Sequence, residues 1–89
     1  MAGMKAIRFT RHALVDRMPL YGLTREIVEA VVRDPEWTEP DPDDAAVERR
    51  FGRPAEWTRH LRVACVEEKD HIRVLSVFPD RNASPPDAP

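Results

Sequence analysis

A histidine, an aspartate and an arginine stand close together in the stretch FTRHALVDRM, residues 9–18. His12 and Asp16 are four residues apart, so a helix would place these two side chains near one another, and Arg17 follows directly. An imidazole can accept and donate protons near neutral pH, and a carboxylate at this spacing can orient it. The pattern therefore indicates an acid/base group with Asp16 as its orienting partner, or else a polar residue on a solvated helix face.

Arginines recur in the three strands expected at 46–53, 60–67 and 71–78. Side chains alternate between the two faces of a strand, so the apolar positions should face the helices. These positions are Val47, Phe51, Leu61, Val63, Cys65, Ile72, Val74 and Phe78. The opposite parity places Arg50, Arg62 and Arg73 together on the uncovered face of the sheet. Planar guanidinium groups bind phosphate oxygens in pairs, although arginine is also common on solvated faces.

The expected open face is not purely basic. Ala64, Val66, Leu75 and Val77 share the parity of the three arginines, which predicts a covering partner or a tail that folds back. Arg49 has the other parity and should reach out from an edge strand.

The remaining reactive side chains point to no further chemistry. Cys65 lies in an apolar run and is expected to be a small buried hydrophobe. His60 and His71 flank strand ends and should face solvent. No histidine or cysteine pair has metal-ligand spacing and no glycine-rich phosphate loop is present, so we expect neither metal nor cofactor.

Local signals divide the chain into a strand, two helices and three strands. KAIRF at 5–9 alternates as a strand does, and Thr10 and Thr24 offer N-caps to two helices that end near Pro19 and Pro35. The acidic segment 35–44 should be a loop. The predicted fold is α+β, order β-α-α-β-β-β, with two helices packed on one face of a small antiparallel sheet. The domain is expected to span 4–78, and the proline-rich segment 79–89 should be a disordered tail.

The distribution of charge matters more than its sum of −2. Residues 49–63 hold five basic groups and one acid, whereas residues 35–48 hold six acids and no base. A basic face can therefore exist on an acidic molecule. No signal peptide or membrane-spanning run is visible, so the expected location is cytoplasmic.

Three stretches carry a family resemblance: IRFTRHALVDRM, YGLTREIVEAVVRDPEW and LRVACVEEKDHIRVLSVFPDR. Over about residues 7–81 the chain resembles a widespread prokaryotic family of small domains with an F-T-x-H-A helix start. That family is grouped with toxin-like ribonucleases of the RelE/ParE and BrnT type, in the barnase-like fold group. Tyr21 stands where the family usually has an arginine before the glycine, and the chain is less basic than RelE-like ribonucleases.

The resemblance implies a metal-independent endoribonuclease of a toxin–antitoxin system, which cleaves RNA by attack of the ribose 2′-OH. It places the family histidine on His12 and its strand arginine on Arg49 or Arg50. We therefore predict His12, Arg50 and Arg62 as catalytic residues, Arg73, Arg49 and Arg17 as substrate-binding residues, and RNA as the substrate. A cognate antitoxin protein should cover the open sheet face. Two alternatives stay open: a non-catalytic protein-binding or regulatory module of the same fold, and a small structural or accessory domain.

Overall fold

The chain begins with a strand and two helical segments, and four further strands follow. A computed structural model describes residues 4–86. Its elements are β1 (Ala6–Phe9), α1 (His12–Arg17), a 3₁₀ turn (Met18–Tyr21), α2 (Arg25–Arg33), β2 (Trp37–Pro40), β3 (Glu48–Gly52), β4 (His60–Glu67) and β5 (His71–Asp80). The α+β class is confirmed. The predicted order β-α-α-β-β-β is wrong because β2 lies in the segment predicted as a loop.

The five strands form one mixed sheet in the order β1-β5-β4-β3-β2. β1 runs parallel to β5, with Ala6 opposite His71 and Phe9 opposite Val74. The other three pairs are antiparallel. The two helical segments thus connect β1 and β2, the strands at opposite edges of the sheet. The sheet is mixed, so the prediction of a purely antiparallel sheet is wrong.

Both predicted helix starts are capped by threonine side chains. Thr10 Oγ1 accepts a hydrogen bond from the backbone N–H of Ala13 (3.1 Å), and Thr24 Oγ1 accepts one from Ile27 (3.2 Å). Each cap satisfies a backbone donor that has no partner within its helix. α1 is wound as a π-helix, in which the N–H of Met18 donates to the carbonyl of Ala13.

One apolar core fills the space between the helices and the inner face of the sheet. Its buried members are Ala13, Met18, Leu23, Val28, Val31, Val32, Leu61, Val63, Cys65, Ile72, Val74 and Val77. Gly52 permits the close approach of β3 to α2, since a Cβ atom there would lie 3.2 Å from Cγ2 of Val31.

Because β5 contains a β-bulge, the side chains in its second half point to the opposite faces from those that strict alternation predicts. Ala64 pairs with Ser76 but Cys65 pairs with Val74, so Leu75 is the extra residue. The prediction that Phe78 faces the helices and Val77 the open side is therefore wrong. Val77 is fully buried in the core, whereas Phe78 lies opposite Arg62 on the outer face and is 39% exposed.

A second, smaller apolar cluster lies on the outer face, at the edge formed by β2 and β3. The rings of Trp37 and Phe51 stack 4.7 Å apart, and the ring of His60 meets Trp37 edge-on at 4.9 Å. Phe51 pairs with Arg62 and so points away from the helices. The prediction that Val47 and Phe51 join the helix-side core is wrong, because both are buried outside it.

The last strand extends two residues past the predicted domain boundary at 78. Residues 81–86 form a turn and irregular chain, and residues 87–89 of the predicted disordered tail lie outside the described part. Between residues 4 and 86, no helix is long and apolar enough to cross a membrane.

Candidate nucleic-acid interface

The register of β3 on β4 separates the arginines that were predicted to converge. Residues directly opposite each other in a sheet share a face. Arg49 pairs with Ala64 and Phe51 with Arg62, whereas Arg50 pairs with the core residue Val63. The predicted placement of Arg50 on the open face is therefore wrong. Arg49 takes its place there, beside Arg62.

Arg50 is held on the inner side against the end of α2. Its Nη1 donates to the carbonyl of Val32 (2.9 Å), its Nε to Glu48 (2.7 Å) and its Nη2 to Glu67 (3.0 Å). Burial opposes its charge, yet the hydrogen bond to Glu48 helps to keep the pKa of Arg50 above its usual value. With its side chain only 11% exposed and bonded to these acceptors, this arginine caps a helix.

Each of the three arginines on the outer face of β3, β4 and β5 has an acidic partner. Arg49 bonds to Asp41 at 3.2 Å, Arg62 to Asp80 at 3.3 Å and Arg73 to Glu68 at 3.1 Å. The backbone N–H of Asp43 and the guanidinium of Arg49 lower the pKa of Asp41. Arg8 of β1 lies next to Arg73 in the sheet register. The outer face is thus a row of cations, most of them partly neutralised.

Phe78 is a partly exposed aromatic residue on this face, directly opposite Arg62. The guanidinium of Arg62 lies 4.8 Å from the centre of its ring, and that of Arg17 lies 6.0 Å away. Arg17 reaches across from α1, and its Nη2 donates to the hydroxyl of Tyr21 at 2.7 Å. A ring that is 39% exposed and has two guanidinium groups near it can contact a base through its exposed part while the arginines contact phosphate.

His12 and Asp16 form the predicted i, i+4 pair on α1. Nδ1 of His12 lies 3.5 Å from Oδ2 of Asp16, and both side chains are more than half exposed. His12 precedes Arg17 by five residues, which is one π-helical hydrogen-bonding step, so the histidine stands one turn from the arginine beside Phe78. The structure brings Arg17, Arg62 and Phe78 together, with His12 and Asp16 on the same short helix as Arg17.

Two other predicted assignments can be placed. Cys65 is buried in the core, and burial raises the pKa of its thiol to about 11. His60 contacts Glu36 at 3.2 Å, and His71 contacts Asp70 at 2.8 Å. Their side chains are only 16% and 19% exposed, so the prediction that both face solvent is wrong. In the described part of the chain, no group of three histidine, cysteine or acidic side chains is arranged to hold a metal ion.

The comparisons with known proteins add no relative. No protein-family model matches the chain, and no curated protein or solved structure is significantly similar to it. The resemblance to toxin-like ribonucleases therefore stays a prediction, and the functional argument rests on the geometry of the outer face.

Sequence reasoning missed the central residue of this face. Strict alternation along β5 gives Phe78 the same parity as Ile72 and Val74, and it therefore predicts that Phe78 lies in the core. No single residue type signals the bulge at Leu75 that reverses this parity. The prolines at 79, 85 and 86 after Phe78 could only indicate that the strand was ending.

Proposed function

We propose that this chain binds single-stranded RNA on the outer face of its sheet and cleaves the bound strand with His12. The observation that carries the proposal is the partly exposed ring of Phe78, which has the guanidinium groups of Arg62 and Arg17 within 6.0 Å of its centre. Only an unpaired base can stack on such a ring, so the geometry favours a single strand over a duplex.

The charge of the outer face supports a phosphate-bearing ligand. Arg8, Arg49, Arg62 and Arg73 extend from β1 to β3 on this face, and Arg17 adds a cation from α1. Arg73 and its partner Glu68 are both more than a third exposed, so this arginine can exchange its carboxylate for a phosphate at small cost. Arg49 and Arg62 have more buried carboxylate partners, and a phosphate would have to displace these or bind beside them.

Cleavage needs a group that takes the proton of the 2′-OH. In the proposed step, His12 accepts that proton, the 2′-oxygen bonds to phosphorus, and the bond from phosphorus to the 5′-oxygen breaks. The leaving 5′-oxygen takes a proton from water, and Arg17 and Arg62 stabilise the negative charge on the phosphorane. Asp16 orients the imidazole. With water as the acid, we expect slow turnover.

RNA binding is tested with Phe78→Leu, which keeps an apolar side chain and removes the ring. We expect the dissociation constant for a fluorescein-labelled oligouridylate to rise roughly 5- to 150-fold, as stacking contributes about 1–3 kcal/mol per base. The matched control is Leu20→Ala at an exposed position of the 3₁₀ turn. Equal affinity of Phe78→Leu and wild type would contradict the proposal.

Cleavage is tested separately with His12→Gln. We expect a 2′-OH-dependent cleavage rate in EDTA to fall about 100- to 10,000-fold, the range that a general base supplies. His71→Gln is the control, since His71 also contacts an aspartate but lies in the β4–β5 turn region. An equal loss in both variants, or cleavage of an all-deoxy strand, would refute the role of His12.

A second candidate, the non-catalytic protein-binding module, is favoured by exposed apolar side chains on the helical segments. Val15 is 51% and Leu20 67% exposed. If purified wild type binds RNA without cutting it, this candidate gains. Its test is co-expression with the product of an adjoining small reading frame: a complex that Val15→Asp and Leu20→Asp abolish would support an antitoxin-like partner.

A further inference from the structure

A groove leads away from Phe78 around the end of β5. Its first hollow, of about 290 Å³, is lined by Tyr21, Arg59, Phe78, Pro79, Asp80, Arg81 and Asn82. Its second, of about 330 Å³, is lined by Tyr21, Glu56, Trp57, Thr58, Arg59 and Pro79. The two hollows share three residues and are therefore continuous. Each is near the size at which surface clefts begin to hold small molecules.

The groove combines aromatic walls with arginines that have no acidic partner. Tyr21 and Trp57 are partly buried against the core, which fixes their rings. Within residues 4–86, no carboxylate bonds to the side chain of Arg59 or Arg81, unlike the paired Arg62 on the outer face. Both arginines are exposed and can bind a ligand without first giving up an ion pair.

Tyr21 connects this groove physically to the proposed RNA site. The guanidinium of Arg17 lies 5.3 Å from the centre of the Tyr21 ring and 6.0 Å from that of Phe78. A strand that stacks one base on Phe78 can therefore continue past Arg17 into the groove without leaving the protein surface.

We infer that the groove is a second nucleotide subsite for the same strand. A base lies against Trp57 and Tyr21, and its flanking phosphate lies between Arg59 and Arg81. This inference rests on the proposed RNA binding and deepens it: the ligand is single-stranded RNA of at least two nucleotides, held at two aromatic positions. The carboxylate of Glu56 repels phosphate, so the hydrogen-bond donors of the base edge face it.

A free peptide fits the groove less well. Its aromatic walls would accept an apolar side chain, but two unpaired arginines would then need carboxylates at a fixed spacing on the same segment. A nucleic-acid strand supplies both requirements in each nucleotide, a flat base and a phosphate.

The test compares Arg59→Gln/Arg81→Gln with the charge-matched control Arg53→Gln/Lys69→Gln. Arg53 lies beside α2 and Lys69 in the β4–β5 turn, both exposed and away from the groove. The probes are a fluorescein-labelled uridine mononucleotide, which can occupy only one subsite at a time, and an oligouridylate of about six nucleotides, within the site sizes of small single-strand binders. Affinity is measured by anisotropy over a salt series.

Wild type should bind the longer probe more tightly than the shorter one. The groove variant should bind the longer probe on the order of tenfold more weakly than wild type, since it lacks the two arginines that contact the phosphate. Its salt slope should decrease by about 0.7, the value for one neutralised phosphate on a single strand, relative to the control variant. Trp57→Leu should also lose the gain from length, provided that it melts as wild type does.

Two results would overturn the inference in distinguishable ways. If the groove variant and its control bind alike while Phe78→Leu still weakens binding, the second subsite is absent and the RNA site on the outer face stands. If wild type binds neither probe, both proposals fall together.

Discussion

Arg62 shares its guanidinium between the ring of Phe78 and the carboxylate of Asp80. Asp80 also accepts the backbone N–H of Asn82 at 3.0 Å, which fixes the turn after β5. In the proposed complex a phosphate would compete with this carboxylate for the guanidinium of Arg62. Removal of the Asp80 carboxylate should therefore strengthen RNA binding. If the ion pair had only a structural role, its removal would not strengthen RNA binding.

Asp80→Asn should strengthen RNA binding roughly two- to fivefold, since a partly exposed ion pair contributes about 0.5–1 kcal/mol. The amide oxygen can still accept from Asn82, so the turn should persist. Asp70→Asn is the control because it removes the same charge beside His71 instead. Weaker binding by Asp80→Asn, measured by fluorescence anisotropy, would show that Asp80 positions Arg62 for RNA rather than competing with it.

Cys65 illustrates a residue whose role follows from burial alone. Since burial raises the pKa of its thiol to about 11, very little thiolate exists in the folded protein at pH 8. We expect iodoacetamide to label it slowly in the native state and rapidly in guanidinium chloride, as followed by mass spectrometry. Because its folded pKa lies above the unfolded value of about 9, its contribution to stability should be lost as pH rises through about 11. Rapid native labelling would contradict the buried placement.

At the scale of elements, the end of α2 depends on a side chain from the sheet. Three acceptors surround Arg50: the carbonyl of Val32 and the carboxylates of Glu48 and Glu67. Glu48 and Glu67 are both about half exposed, so solvent weakens both ion pairs, and the carbonyl of Val32 is the acceptor that belongs to the helix end itself. The network connects α2, β3 and β4.

Arg50→Gln should lower the free energy of unfolding by about 2–3 kcal/mol, as it breaks charge-assisted hydrogen bonds in a partly buried site. Arg53→Gln, on the exposed end of the same segment, should change it by no more than about 0.5 kcal/mol. Urea denaturation measures both. If Arg50→Gln were as stable as wild type but failed to bind RNA, that result would contradict a structural role and support the prediction from sequence that Arg50 is a functional residue.

Local signals predicted the elements that local contacts determine. The caps at Thr10 and Thr24 and the strands β4 and β5 follow from side chains within a few residues of each element. β2 was missed because only Trp37 of its four residues is buried, and prolines lie on both sides of it. Its pairing with β3 is a contact between distant segments, which alternation within one strand cannot indicate.

The composition of the site depended on two such non-local features. The register of β3 on β4 decides whether Arg49 or Arg50 accompanies Arg62, and the bulge at Leu75 decides where Phe78 points. Strict alternation correctly placed Arg62 and Arg73 on one face of the sheet. In β3 it selected Arg50 for this face, whereas the structure has Arg49 there. His12 and Asp16 were paired correctly because an i, i+4 contact is local.

At the scale of the whole molecule, the net charge of −2 is compatible with RNA binding because the charges are segregated. Five of the six acids of residues 35–48 belong to β2, β3 and their connection, and the sixth, Glu36, directly precedes β2 at the edge of the sheet. Phe78 lies on β5, three strands from β2, which is about 14 Å at the usual strand spacing. Asp41 of this segment nevertheless lines a hollow together with Arg62 and Phe78. Its ion pair with Arg49 offsets its repulsion of a phosphate there.

The central claim is that the base of a single RNA strand lies on Phe78. Ultraviolet cross-linking of the wild-type protein to a short single-stranded RNA, followed by peptide mass spectrometry, tests this contact most directly. We predict a nucleotide adduct on the β5 peptide at Phe78 that disappears in Phe78→Leu. Adducts confined to the α2 side of the molecule, or an undiminished yield in Phe78→Leu, would contradict the claim.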